Sequence, residues 1–267
     1  MVGNCHPLLA SAKDAAGRTQ KNMTPRTSHK GEKQNHALEK CIAAANRGWM
    51  SEKYLPPAGQ EKCFFLTSPF IEPATGHGGG IIMGGEVIKG RKGFGGELGH
   101  VLIPYPLIPG IEGLKPECNC GRMGELEALC SLTSIRRHLL PHFLLKYPDH
   151  ELGKIEDVHK AAYRVRGMAE KGDQMCQDIF RVQARALGLF FDQMINTFDP
   201  DALIMGGGVV ETNPEFQRWF IDEIRVGMGA QRKEQADIPI HVMPNGDTAG
   251  ARGAALEALK FARAGAF

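Results

Sequence analysis

Large apolar side chains are sparse up to about residue 60 and then arrive in short blocks punctuated by glycine. The run KDAAGRTQKNMTPRTSHKGEKQNH sets Lys13, Arg18, Lys21, Arg26, Lys30 and Lys33 against Asp14 and Glu32. Burial there cannot offset the entropy of ordering the chain, so residues 1–60 are expected to form a polar segment, disordered or loosely packed, with one short helix from Asn35. Its basic bias lacks interleaved aromatics and any helix-turn-helix pattern, which favours a solvated tail over a nucleic-acid arm.

From Cys63 onward the pattern predicts strands alternating with helices. CFFLT (63–67) has the form of a buried strand, and GGGIIMGGEVIKG (78–90) that of two short strands joined at Gly84-Gly85. Helices are expected over about 125–140, 156–171 and 174–197. In the last, Ile179, Val182, Ala186, Leu187, Phe190 and Met194 recur at helical spacing and define a core-facing stripe. DALIMGGGVV (201–210) predicts a buried strand running into a glycine turn, followed by a helix with Thr212 and Glu215 in capping-box spacing and Pro214 in its first turn. IPIHVM (238–243) predicts another strand, and residues 249–264 a terminal helix. Such alternation implies an α/β sheet, here a lobe over residues 61–267.

Composition narrows the class without deciding it. Apolar residues make up 42% of the 267, enough to bury a core, and a net charge of +2 gives no general field for nucleic acid or an anionic membrane. No apolar run approaches the roughly 18–20 residues of a membrane span, and Met1 to Asn4 open no secretory segment, so a cytoplasmic protein is expected. Seven cysteines, irregularly spread, suggest reduced thiols or metal ligands over a disulfide framework.

Three motifs carry candidate chemistry. In GFGGELGH, Glu97 and His100 are three residues apart, a spacing at which two side chains face one side and can grip one polar object. TGHGGG (75–80) could cradle phosphate oxygens through its backbone amides, or be a plain glycine loop. In ECNCGRMGELEALC, Cys118 and Cys120 could share a zinc ion with a histidine from elsewhere, His100 being the nearest upstream candidate; chance spacing is the alternative. IMGGGVV (204–210) before a capped helix suits either a nucleotide or tight packing of helix on strand.

Taken in order, TGHGGGIIMGGEVIKGRKGFGGELGH, CNCGRMGELEA, PDALIMGGGVV and GDTAGARGAALEA closely resemble the ROK family of sugar kinases and sugar-responsive repressors, from Cys63 to about Arg263. The resemblance implies an actin-like ATPase (ribonuclease H-like) fold, represented mainly by its C-terminal sugar-binding lobe. It implies Glu97, His100 and Glu127 as ligands of a hexose or N-acetylhexosamine, a structural zinc on His100, Cys118 and Cys120, and ATP with Mg2+. Thr75, Gly76 and Gly78 would contact nucleotide phosphate, and Gly206, Gly207 and Gly208 would lie by the adenosine.

The chain also departs from the family pattern. Glu125 stands where the family has a third zinc cysteine; the expectation is a carboxylate ligand, with an empty site or closure by Cys130 as alternatives. No Asp-x-Gly-Gly-Thr string occurs, and Asp14 is the sole aspartate before Asp149, so the family's catalytic aspartate has no identifiable counterpart. A glucokinase-like kinase with impaired activity is the leading expectation, from a divergent or truncated start; a sugar-responsive regulator or a non-catalytic remnant binding sugar and zinc are the rivals. Ala254, Leu256, Leu259 and Phe261 would form an apolar face on the last helix that invites homodimerisation.

Overall fold

A computed structural model describes residues 62–68 (backbone), 77–83, 86–208, 210–229 and 237–243, with isolated helical positions at 255, 258, 259 and 262. The expected polar segment 1–60, the Gly84-Gly85 turn and most of the terminal helix lie outside these residues. Strands β1 (Lys62–Ser68), β2 (Gly78–Met83), β3 (Glu86–Val87), β4 (Ala202–Gly207) and β5 (Ile240–Val242) form one sheet in the order β3-β2-β1-β4-β5. β1 pairs antiparallel with β2 and parallel with β4, and β5 runs parallel to β4. Met83 faces Glu86 in register, which leaves two residues for the connection, as the paired glycines predict.

Among the described residues the α-helices are α1 (Glu127–Cys130), α2 (Leu132–Ser134), α3 (Leu140–Lys146), α4 (Val158–Ala169), α5 (Gln174–Phe198) and α6 (Pro214–Gly227). The single helix expected over 125–140 is broken. Ser131 adopts an extended backbone and its hydroxyl caps the next turn by accepting from Ser134 N–H. Residues Ile135–Leu139 then widen into a π turn, with Leu140 N–H bonded to Ile135 O, just before Pro141. A proline supplies no N–H to the carbonyl four residues back, so the ladder must shift there.

α5 is the hub of the core, and the stripe read from sequence faces inward: Ile179, Val182, Ala186, Leu187, Phe190 and Met194 are all buried. Asp173 caps its start, its carboxylate accepting from Cys176 N–H, and Asp199 ends it at φ 47°. Phe180 packs edge-on against Phe216 of α6, with ring centroids 5.3 Å apart. Both Phe180 and Phe220 have no exposed surface. Truncating such a side chain to alanine costs about 3–5 kcal/mol.

Two glycines set the approach of α5 and α6. A Cβ on Gly188 would lie 2.3 Å from Ile224 O, and one on Gly227 2.7 Å from Arg185 O. The α6 cap differs from the expected capping box: Asn213, not Thr212, accepts from Glu215 and Phe216 N–H. An extended residue immediately before Pro214 is the position from which a side chain reaches those amides.

Candidate functional site

Glu97 ends the glycine-rich loop and begins a 3-10 turn over Leu98–His100. The chain then runs through a loop, closed by bridges from Leu102 to Glu125 and from Glu117 to Met123. Within that loop Cys118 N–H bonds Arg122 O and Gly121 N–H bonds Cys118 O. Gly121 (φ 90°) and Gly124 (φ 75°) occupy the left-handed region, and a Cβ on Gly124 would meet the Tyr105 ring at 2.9 Å. The tight knuckle folds both thiols toward His100 because only glycine fits these two positions without strain.

The result is a cluster of four potential metal ligands. One donor atom each from His100, Cys118, Cys120 and Glu125 lies within 4.8 Å of the others. His100 Nδ1 stands 2.6 Å from Glu125 Oε2, Cys120 Sγ 3.1 Å from the same oxygen, and Cys118 Sγ 3.8 Å from His100 Nδ1. Glu125 has no exposed surface, and Arg122 reaches its other oxygen at 3.0 Å. Cys130 is not part of the group: its buried thiol donates to Gln183 O, 3.3 Å away, on α5.

Glu127, two residues beyond, is buried at the head of α1 and accepts from His77 N–H at 3.1 Å. Gly99 permits that approach, since a Cβ there would meet His77 O at 2.8 Å and Glu127 Oε2 at 3.4 Å. Glu127 Oε1 is 3.9 Å from Cys118 Sγ, so the sugar carboxylate expected from sequence sits beside the thiol loop. The charge of Glu97 acts on both His100 and Glu127.

The electrostatics follow from crowding anions around one imidazole. Burial alone would lower the His100 pKa, but the hydrogen bond its Nδ1–H donates to Glu125 and the charges of Glu125, Glu127 and Glu97 outweigh it and raise the imidazole above its ordinary value. Glu125 is lowered: burial opposes its charge, and the His100 and cysteine hydrogen bonds overcome that opposition. Burial raises Glu127, with His77 N–H and the His100 charge pulling the other way. Burial likewise raises the Cys118 thiol. A divalent cation would reverse this last effect, since a coordinating thiol is deprotonated outright.

Of the residues expected to contact nucleotide, Gly78 and Gly206 lie at the same end of the sheet. Gly78, at the start of β2, and Gly206, near the end of β4, are both in register with Thr67 of β1, one on either side. Strands spaced about 4.8 Å apart set these two glycines roughly 10 Å from one another, at the carboxyl ends of the parallel strands where α/β sheets bind ligands. Gly207 has φ 92°, and Gly208 O accepts from Arg166 Nη1 at 2.9 Å. Thr75 and Gly76 lie outside the described residues.

A second group, His150, Asp173 and Cys176, has metal-compatible spacing but a different explanation. His150 Nδ1 accepts from Leu152 N–H at 3.2 Å, which places the imidazole proton on Nε2, facing Asp173 at 3.0 Å. A protonated nitrogen cannot ligate. The group joins two helix caps.

Sequence reasoning missed three contributors. Arg122 was legible as an i,i+3 partner of Glu125 once that carboxylate was singled out. Neither the His77 amide on Glu127 nor Arg166 on the glycine turn has a local signal, because 50 and 42 residues separate the partners.

An α/β sheet edged with glycine and a thiolate, imidazole and carboxylate cluster beside an acidic site define the class. The ROK family model matches residues 45–260, and the chain belongs to the ROK family. A glucokinase of Thermotoga maritima is 36% identical over 137 residues, 51% of this chain and 40% of the relative. An N-acetylglucosamine repressor of Escherichia coli O157:H7 is 29% identical over 146 residues, 55% of this chain and 33% of the relative. The chain therefore spans less than half the length of these curated relatives. The crystal structure of a ROK family glucokinase from Streptomyces griseus in complex with glucose and AMPPNP superposes with a TM-score of 0.57 and 25% identity, covering 81% of this chain and 65% of that one. The fold is the actin-like ATPase fold of ROK sugar kinases. Among the described residues no helix is long and apolar enough to cross a membrane.

Proposed function

We propose that this chain is the sugar-binding lobe of a ROK-type, ATP-dependent sugar kinase acting on a hexose or N-acetylhexosamine. The observation that carries the reading is the buried Glu127 standing 3.9 Å from Cys118, beside a cluster of four metal-compatible donors that includes His100. Carboxylates are strong acceptors for sugar hydroxyls, and charge-assisted hydrogen bonds are roughly twice as strong as neutral ones. With His100 Nδ1 engaged in the cluster, its Nε2 is the nitrogen left for a sugar hydroxyl.

The residues fit a structural zinc: two thiols, one imidazole and one buried carboxylate supply four donors of its usual kinds within 4.8 Å of one another. Zinc on His100, Cys118, Cys120 and Glu125 would pin the loop and fix the imidazole orientation. The glycine residues at Gly78 and Gly206–208 would receive ATP, so the γ-phosphoryl group would approach the sugar from the sheet end. No base is assigned. Asp14 lies outside the described residues, and no other aspartate precedes Asp149.

A second reading, a sugar-responsive regulator, is favoured by the similarity to the N-acetylglucosamine repressor. Both readings use the same sugar site and differ in turnover. A coupled assay for sugar-dependent ADP formation supports the kinase if glucose or N-acetylglucosamine drives turnover, and sugar binding without turnover supports the regulator or a non-catalytic lobe.

A further inference from the structure

Glu125 has no solvent-exposed surface, yet it stands among two thiols, an imidazole and Glu127. A buried carboxylate needs a partner for each oxygen. Its Oε2 faces His100 Nδ1 at 2.6 Å and Cys120 Sγ at 3.1 Å, while its Oε1 accepts no hydrogen bond and is met by charge alone, the Arg122 Nη1 ion pair at 3.0 Å. The two oxygens are thus held in different roles, one toward the donor cluster and one toward a guanidinium at the rim.

We propose that Arg122 is a positioning residue that makes Glu125 a single-oxygen metal ligand, giving this chain a four-coordinate centre of two thiolates, one imidazole and one carboxylate. The inference rests on the metal reading above. A free carboxylate can ligate with either oxygen or both; the Arg122 charge beside Oε1 draws that oxygen toward the rim and favours ligation through Oε2, which already faces the cluster. Charge points the same way: two thiolates and one carboxylate balance a divalent cation together with the Arg122 guanidinium. The knuckle places Arg122 for this task, because the Cys118 N–H to Arg122 O bond sets its backbone and the i,i+3 spacing aims its side chain at Glu125.

The test uses the full chain and Co2+, whose visible spectrum reports both thiolate ligation and coordination number. Titration with Co2+, followed by Zn2+ displacement, is carried out on wild type, Arg122→Met and Arg122→Lys. Arg122→Met is expected to weaken metal binding about 10–100-fold, the usual effect of losing an outer-shell partner, and to alter the ligand-field bands as Oε1 joins the coordination sphere. Arg122→Lys should restore much of the wild-type spectrum, which a merely structural role would not require. The Arg122 side chain is 58% exposed, so the substitutions should leave the fold intact by circular dichroism; Arg122→Gln replaces the Met variant if that one fails to fold. Unchanged affinity and spectrum in Arg122→Met would overturn the role of Arg122 while leaving the metal centre standing. Absence of a thiolate-to-cobalt band in wild type would overturn the metal reading itself, and the Arg122 role with it.

Discussion

Glu125 Oε2 and His100 Nδ1 stand 2.6 Å apart across 25 residues of sequence. That contact joins the Leu98–His100 turn to the thiol loop. The His100–Glu125 hydrogen bond helps hold the cluster together, and a metal ion on the proposed ligands would replace it. Thiols and imidazole must shed their protons to ligate, so metal uptake should release protons and weaken as pH falls.

Metal removal therefore gives the first prediction. Wild-type protein is expected to carry about one zinc per chain by elemental analysis, and Cys118→Ser with Cys120→Ser to carry far less. A ligand present at 1,000 times its Kd stabilises the native state by about 4 kcal/mol, and each kcal/mol moves Tm by about 2–4 °C in a domain of this size. Chelation should lower the wild-type melting temperature by several degrees. The double variant should show no such shift.

Helix α5 supplies a pH prediction. Burial opposes the charge of Asp173, but the Cys176 N–H and the His150 hydrogen bond overcome it and hold the carboxyl below its ordinary 3.8. A carboxyl lowered in the folded state contributes stability above its unfolded value, and the contribution is lost as pH falls through the folded value. Asp173→Ala should cost about 1 kcal/mol at pH 7, as a lost N-cap does. For Asp173→Asn, the deficit against wild type should be present at neutral pH and vanish as pH falls below 3.8. Urea denaturation at both pH values measures this.

The α5–α6 contact predicts a strong steric effect. A Cβ on Gly188 would overlap the backbone of Ile224 and Gly227, at 2.3 and 2.6 Å, where no flexible side chain can yield. Gly188→Ala ordinarily gains helix propensity of about 1 kcal/mol. Here it should instead destabilise by about 1–3 kcal/mol, the range for overpacking. Equal or greater stability in denaturant would show that the helices separate freely.

Arg166 ties α4 to the glycine turn through Gly208 O. Arg166→Ala should weaken nucleotide binding several-fold while leaving sugar affinity unchanged, measured by titration of the non-hydrolysable analogue AMPPNP and of glucose separately.

Much of this architecture was legible because its signals are local. The α5 stripe, the pairing of β2 with β3 across a two-residue connection and Pro214 in the first turn of α6 each have a signal within a few residues. The capping residue was misplaced by one, Thr212 for Asn213, because both residue types cap helices and only the extended backbone before Pro214 distinguishes them. The break at Ser131 went unread because apolar periodicity continues through it; the hydroxyl cap and Pro141 act on hydrogen bonds, to which periodicity is blind. At the site, Cys118, Cys120 and Glu125 were close in sequence, and the structure brings His100 to them. What sequence could not supply was the link from His77 N–H to Glu127, made by a backbone group that every residue carries.

The proposed hexose site is the buried Glu127 carboxylate beside the His100 and thiol cluster, with Glu97 as a further sugar ligand. Isothermal titration of the full chain with glucose and with N-acetylglucosamine, repeated on Glu127→Gln, tests it most directly. Glu127→Gln keeps the shape and loses the charged acceptor, so saturable binding of one sugar per chain should weaken by about tenfold or more, the equivalent of a lost charge-assisted hydrogen bond of about 1.5–3 kcal/mol. Equal sugar affinity in wild type and Glu127→Gln, or no binding of either sugar to the folded wild-type chain, would contradict it.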